Sequence, residues 1–380
     1  MPIRTMVVDD TVIWRKILSD SISAIPELEL ISTASNGSIA LKKISRDKPD
    51  LIFLDIHMPE MDGIELLKLL HSSYPEIAVI MISGGATVNS KETVEALQSG
   101  AIDFICKPTS TDHQQNVASL QNDLRTMLRL IEVRLNTRKI EPHKTTPTPP
   151  PSLQSTPNQG VSLTPHMITR HNETEHYQSE IPKTFSICVI GVSTGGPDAL
   201  ARLIPKLPVT FPLPILVVQH MPPLFTKSLA ESLDRKSQLH IIEASENTVI
   251  STGNVYIAPG GKHMIVRHVN GKAVIGLNEE PPENSCRPSV DVLFRSVAAN
   301  FGDSGVLAIV LTGMGCDGLN GVKTLKRKKC YCITQSEASC IVYGMPRAVD
   351  EAKLADRSLP LEEIASEMES MTRNSTFRNM

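Results

Sequence analysis

The chain has 380 residues with a formal charge of −3, too long for one ordinary core and suited to two domains joined by a linker. So small a net charge provides no strongly basic field, and no nucleic-acid partner is expected. Seven cysteines without a CxxC pair argue against a zinc ribbon or redox motif. With no bilayer-length apolar run and two aspartates in the opening MPIRTMVVDD, the chain reads as cytoplasmic, with reduced thiols and no membrane insertion.

From residue 3 to 107 short apolar runs alternate with amphipathic ones: IRTMVV, TVIWRKILSDSISAI, LELIST, GSIALKKISRDK, LIFL, DGIELLKLLHSS, IAVIMI, SKETVEALQSG and IDFI. Five strands separated by helices predict a parallel sheet with right-handed crossovers. A further helix follows, with Val117, Leu120, Leu124, Leu128, Ile131 and Leu135 on one apolar face; it packs on the sheet and then runs out into the linker. Between about 141 and 183 the composition turns to Pro, Thr, Ser, Gln and His with no apolar period. Such a segment cannot bury enough surface to offset its ordering entropy, which predicts a largely disordered tether. Its histidines, His143, His166, His171 and His176, are irregularly spaced, which favours solvated polarity over a metal site. From 186 a second pattern begins, with SICVIG, ILVVQH, NVYIAP, MIVRHV, AVIGL, VLAIVLTG and CYCIT as strands and PSVDVLFRSVAANF and DGLNGVKTLKRKK as helices. This predicts a second doubly wound α/β domain with an antiparallel β insertion, ending in a frayed tail, STFRNM.

In the first half, Asp9 and Asp10 follow strand one, Asp55 follows strand three, Ser83 follows strand four and Lys107 follows strand five. Carboxyl ends of strands in an open parallel sheet line one crevice. Taken singly these acids read equally as helix caps. Together they form a carboxylate cluster that needs a hard divalent cation such as Mg²⁺, beside which Asp55 could accept a phosphoryl group, with Ser83 and Lys107 meeting its oxygens. MVVDD, LIFLDIHMPEMDG, Ser83 and DFICKP resemble the response-regulator receiver family over about residues 3–122, a flavodoxin-like fold. The resemblance implies that Asp55 is the phosphorylation site and that Asp9, Asp10, Asp55 and the His57 carbonyl surround Mg²⁺. It also implies that Phe104 is a switching aromatic and that the Lys107–Pro108 bond is cis. Gly84 and Gly85 after the hydroxyl position depart from the pattern and loosen the loop that senses phosphate.

In the second half, GVSTGGP follows a strand and sets Ser193 between glycines at the G-x-S-x-G spacing of a nucleophile elbow. A glycine-rich turn entering a helix can equally cradle phosphate. His220 closes PILVVQH and Asp317 follows VLAIVLTGMGC, so a base and an orienting carboxylate share the serine's sheet edge. Alone, His220 reads as a buried core histidine and Asp317 as a helix cap; the common edge favours a triad. The chain order Ser, His, Asp differs from that of lipases and of the familiar peptidases.

GVSTGGPDAL, VVQHMPP, RPSVDVLF, LTGMGCDG and QSEASCIVYGMPRAV resemble the CheB methylesterase family over about residues 186–352. That resemblance implies Ser193 as nucleophile, His220 as base, Asp317 as the residue orienting it, the Met314 N–H as oxyanion donor and Thr194 close by. It further implies glutamate methyl esters of methyl-accepting chemoreceptors as substrate, glutamine deamidation as a companion activity, the chemotaxis histidine kinase CheA as phosphodonor, and no cofactor for hydrolysis. Cys286 stands where the family pattern has a residue such as His, and Cys316 where Asn is usual. The expected layout is a receiver over 1–122, a helical extension and linker over 123–183, and the hydrolase over 184–375. Two rivals are a phosphorylation-gated docking protein without chemistry, against which the complete triad speaks, and a transcription regulator, for which the strand-rich second half has no helix-turn-helix.

Overall fold

The computed structural model describes residues 1–84, 90–138, 181–301, 303–373 and 375. The histidine-bearing tether and Gly85 lie outside them. The first half runs β1 (Ile3–Val8), α1 (Val12–Ser23), β2 (Leu28–Ala34), α2 (Gly37–Ile44), β3 (Leu51–Asp55), α3 (Gly63–Ser73), β4 (Ala78–Gly84), α4 (Ser90–Gln98), β5 (Asp103–Lys107) and α5 (His113–Arg138). Its sheet is parallel in the order β2-β1-β3-β4-β5, the expected doubly wound arrangement. β3 is buried at every residue because helices cover both faces, so its sequence LIFL is a continuous apolar run instead of an alternation. Asn36 and Asp62 cap α2 and α3 by accepting from the Ile39 and Glu65 N–H groups, which stops each loop at the sheet edge. α5 buries Leu120, Leu124, Leu128 and Ile131, the apolar stripe read from its spacing; Leu135 lies outside the described side chains.

The second half runs β6 (Ile187–Val192), α6 (Gly196–Leu203), β7 (Ile215–Gln219), α7 (Phe225–Asp234), β8 (His240–Glu243), β9 (Asn254–Ile257), β10 (His263–Val269), β11 (Lys272–Asn278), α8 (Val290–Phe301), β12 (Val306–Val310), α9 (Leu319–Lys326), β13 (Cys330–Gln335), α10 (Met345–Glu351), β14 (Arg357–Leu359) and α11 (Leu361–Thr372). Seven strands form a parallel sheet in the order β14-β13-β12-β6-β7-β9-β8. The chain leaves β6 toward β7 and returns to β12 on its other side, so the sheet reverses direction there and opens a crevice at the carboxyl ends of β12, β6 and β7. β10 and β11 form the antiparallel insertion, closed by Asn270 and Gly271 at positive φ, the signature of a tight hairpin turn.

Three local expectations change. β8 and β14 are additional edge strands of four and three residues, too short to show a period and defined only by their neighbours. The Lys107–Pro108 bond is not cis; the cis bond among the described residues is Arg287–Pro288. Trans is the intrinsically favoured X–Pro form and needs no compensation at that turn. The tail begins anchored, since Ser375 is buried and its hydroxyl accepts from the Phe185 N–H.

Candidate active site and phosphoacceptor pocket

Asp9, Asp10 and Asp55 bring three carboxylates to within 4.8 Å of one another at the ends of β1 and β3. Lys107, the last residue of β5, pairs with two of them, 2.8 Å from Asp9 Oδ2 and 3.0 Å from Asp55 Oδ1, and the Arg15 guanidinium donates to the backbone carbonyls of Asp9 and Asp10 at 2.7 and 2.8 Å. Asp9 Oδ2 is buried and, apart from the Lys107 ion pair, has no hydrogen-bond partner among the described residues. Burial pushes the Asp55 carboxyl up to about 6, opposed by Lys107 and reinforced by Asp9. Three clustered carboxylates, of which Lys107 pairs with two, fit a hard oxygen-seeking dication such as Mg²⁺. His57 lies two residues past Asp55, and its imidazole meets Glu92 of α4 at 3.0 Å. Ser83 is buried and accepts from the Thr93 hydroxyl at 3.2 Å.

Across the second sheet, Ser193, His220 and Asp317 follow the neighbouring strands β6, β7 and β12. Gly195 has φ +76°, which lets the chain turn sharply from Ser193 into α6. Gly313 is required by contact: a Cβ there would lie 2.7 Å from Ser193 Cβ. Its absence lets the loop carrying Met314 close against the serine. Gln219 ties this turn to the next, its amide donating to the carbonyls of Ser193 (2.9 Å) and His220 (3.2 Å).

His220 Nε2 lies 2.8 Å from Asp317 Oδ2. The same carboxylate accepts from the N–H groups of Val290, Asp291 and Gly318, the Ser289 hydroxyl and the Asn284 amide. Burial alone would raise Asp317, but His220 and these donors hold it low, at about 2. Burial alone would lower His220; the bonds to Asp317 and Cys286 outweigh it and push the imidazole up to about 9. Asp317 therefore favours the imidazolium that a base forms on taking a proton. The opposite nitrogen, Nδ1, is 3.5 Å from Cys286 Sγ, and Ser193 Oγ makes no hydrogen bond among the described residues. Asn284, Ser289 and Gln219 escaped the sequence reading; the one available signal was a polar Gln219 inside the apolar run VVQH.

The two halves meet at this edge. Phe104 of β5 packs on Phe225 of α7 with ring centroids 4.6 Å apart. The Thr194 hydroxyl donates to Asp103 Oδ2 at 3.3 Å, and Gln98 accepts from Ser232 and Lys236. Burial raises the Asp103 carboxyl to about 6. Asp103 and Phe104 line a cleft of about 50 Å³ together with Ser193, Thr194 and His220. Receiver side chains thus form one wall of the cleft that holds the serine.

Residues 5–118 match the response regulator receiver domain family and residues 188–368 the CheB methylesterase family. A protein-glutamate methylesterase/protein-glutamine glutaminase of Desulfotalea psychrophila is 44% identical over 96% of this chain and 97% of its own. One of Trichodesmium erythraeum bearing the same name is 38% identical over 96% and 97%. The crystal structure of the Thermotoga maritima CheB methylesterase catalytic domain is 41% identical over 50% of this chain and 100% of its own, with a TM-score of 0.49. The near full-length identity shows that this chain belongs to the protein-glutamate methylesterase/protein-glutamine glutaminase family, a hydrolase behind a response-regulator receiver domain.

Proposed function

We propose that the chain removes methyl groups from glutamate methyl esters on chemoreceptors, and deamidates the corresponding glutamines, when its receiver is phosphorylated at Asp55. The observation that carries the reading is the 2.8 Å His220–Asp317 bond at the end of the two strands flanking the one that ends at Ser193. Ser193 Oγ attacks the ester carbonyl while His220 takes its proton at Nδ1, the nitrogen turned away from Asp317. The Met314 N–H, held against the serine by Gly313, and the nearby Thr194 stabilise the oxyanion. The imidazolium then returns the proton to departing methoxide. Water repeats the sequence on the acyl-enzyme and frees the carboxylate.

On this reading the chain divides into a receiver over 1–122, a connecting segment over 123–183 and the hydrolase over 184–375. Asp9, Asp10, Asp55 and the His57 carbonyl would hold Mg²⁺, which when bound would supply charge screening for a phosphoryl group at Asp55. Ser83 and Lys107 meet the phosphoryl oxygens, Phe104 transmits the change, and the histidine kinase CheA is the donor. The cytoplasm, where kinase and receptor signalling regions meet, is the compartment this requires.

Methanol release from methylated receptor membranes tests the assignment. Ser193→Ala, His220→Ala and Asp317→Ala should each lose several orders of magnitude in rate, because triad members act as a unit. Release that persists in Ser193→Ala overturns the mechanism.

A further inference from the structure

Cys286 reaches His220 by a defined route. Residues 283–286 form a two-residue hairpin in which Glu283 and Cys286 exchange both backbone hydrogen bonds (3.1 and 2.9 Å) and Asn284 and Ser285 both have positive φ. Arg295 grips the Glu283 carboxylate at 2.7 and 2.5 Å, and the Asn284 amide bridges Asp317 and Asp291 at 2.9 and 3.0 Å. The hairpin is thus pinned on two sides, and Cys286 Sγ is held 3.5 Å from His220 Nδ1. Both side chains remain partly open to solvent.

We propose that His220 and Cys286 form an inhibitory site for Zn²⁺. A tetrahedral zinc with Zn–N of about 2.05 Å and Zn–S of about 2.3 Å holds its two donors about 3.5 Å apart. That is the spacing already present. Asp317 on Nε2 fixes the ring so that Nδ1 points at the thiol, the same carboxylate support that metal-bound histidines ordinarily have. In the metal-free protein the span accommodates one shared proton; zinc takes its place, and the thiol proton goes to solvent. Water fills the remaining positions. Zinc occupies the lone pair that Ser193 needs, so this inhibition rests on the proposed hydrolase mechanism, whereas binding does not.

Cobalt titration of the full chain in excess Mg²⁺, which fills the receiver carboxylates, tests the site. One equivalent should produce a thiolate-to-cobalt charge-transfer band with tetrahedral d–d absorption, displaced by Zn²⁺. The charge-transfer band should vanish in Cys286→Ala and Cys286→Ser, with zinc affinity falling at least about tenfold, and should remain in Cys316→Ala and Ser193→Ala. Zn²⁺ should slow demethylation and a chelator restore it. Circular dichroism identifies which Cys286 variants are folded, and Ser, close in size to the thiol, serves if Ala fails. A charge-transfer band that survives in a folded Cys286 variant, or no stoichiometric binding to the full chain, overturns the proposal. Persistent esterase activity in Ser193→Ala with the band intact would instead remove the mechanism and leave the site.

Discussion

Asp55 shows how one residue's surroundings set both its chemistry and its cost to the fold. Its carboxyl is raised to about 6, chiefly by burial, so below the ordinary carboxylate range it is protonated and adds nothing unfavourable. As pH rises through about 6 the buried charge appears, and that share of receiver stability is lost. Only the ionised form can attack a phosphoryl donor. In metal-free buffer the slow labelling of Asp55 by a small phosphodonor should therefore increase with pH through about 6. A dication among the three carboxylates should move the midpoint toward lower pH and raise the rate. Labelling measured across pH, with Mg²⁺ and with a chelator, checks this; a midpoint indifferent to Mg²⁺ argues against the carboxylate site.

Among the elements, the turn after β12 is tightly constrained. Gly313 donates its N–H to Val342 and accepts from Gly344 and Met345, while its missing side chain lets Ser193 approach. Gly313→Ala would place a methyl group 2.4 Å from Met345 Sδ and 2.7 Å from Ser193 Cβ. Methionine can yield, but the serine's carbon is fixed by a 3.0 Å bond from its own N–H to the Thr312 carbonyl. The expected result is a kcat lowered about 100-fold, as for an ångström-scale misplacement at a reacting centre. Thermal unfolding should fall by only a few degrees, since an overpacked site costs about 1–3 kcal/mol. Full activity in Gly313→Ala would show that the Met314 loop does not position the serine.

For the whole molecule, the receiver face built from α4 and β5 sits on α6 and α7 beside Ser193, and its Asp103 and Phe104 wall the cleft that holds the serine. A weak interface suffices to hold this closed arrangement, because the covalent tether keeps the partners at high effective concentration. Gln98→Ala removes the acceptor for Ser232 and Lys236 without touching either core. Two hydrogen bonds at about 0.5–1.5 kcal/mol each, about 1–3 kcal/mol together, predict an open population, and so an unphosphorylated esterase rate, raised at least about fivefold and at most about 150-fold. Stimulation by a phosphodonor should shrink by a similar factor. Unchanged basal and stimulated rates in Gln98→Ala would remove occlusion by this face as the means of control.

The two doubly wound sheets, their strand-end acids and the glycine-flanked serine were legible in the sequence, because buried parallel strands must be apolar runs and tight turns must carry glycine. Those signals are local. β8 and β14 were not legible, since three or four residues carry no period and become strands only by pairing with an edge already in place. Nor could spacing show which imidazole nitrogen faces Asp317, that Cys286 occupies the other, or that Asp103 of the receiver reaches Thr194. These contacts join segments 66 to 97 residues apart. They depend on the angle at which strands leave a twisted sheet and on a hairpin pinned by Asn284 and Arg295, which only the assembled tertiary structure decides.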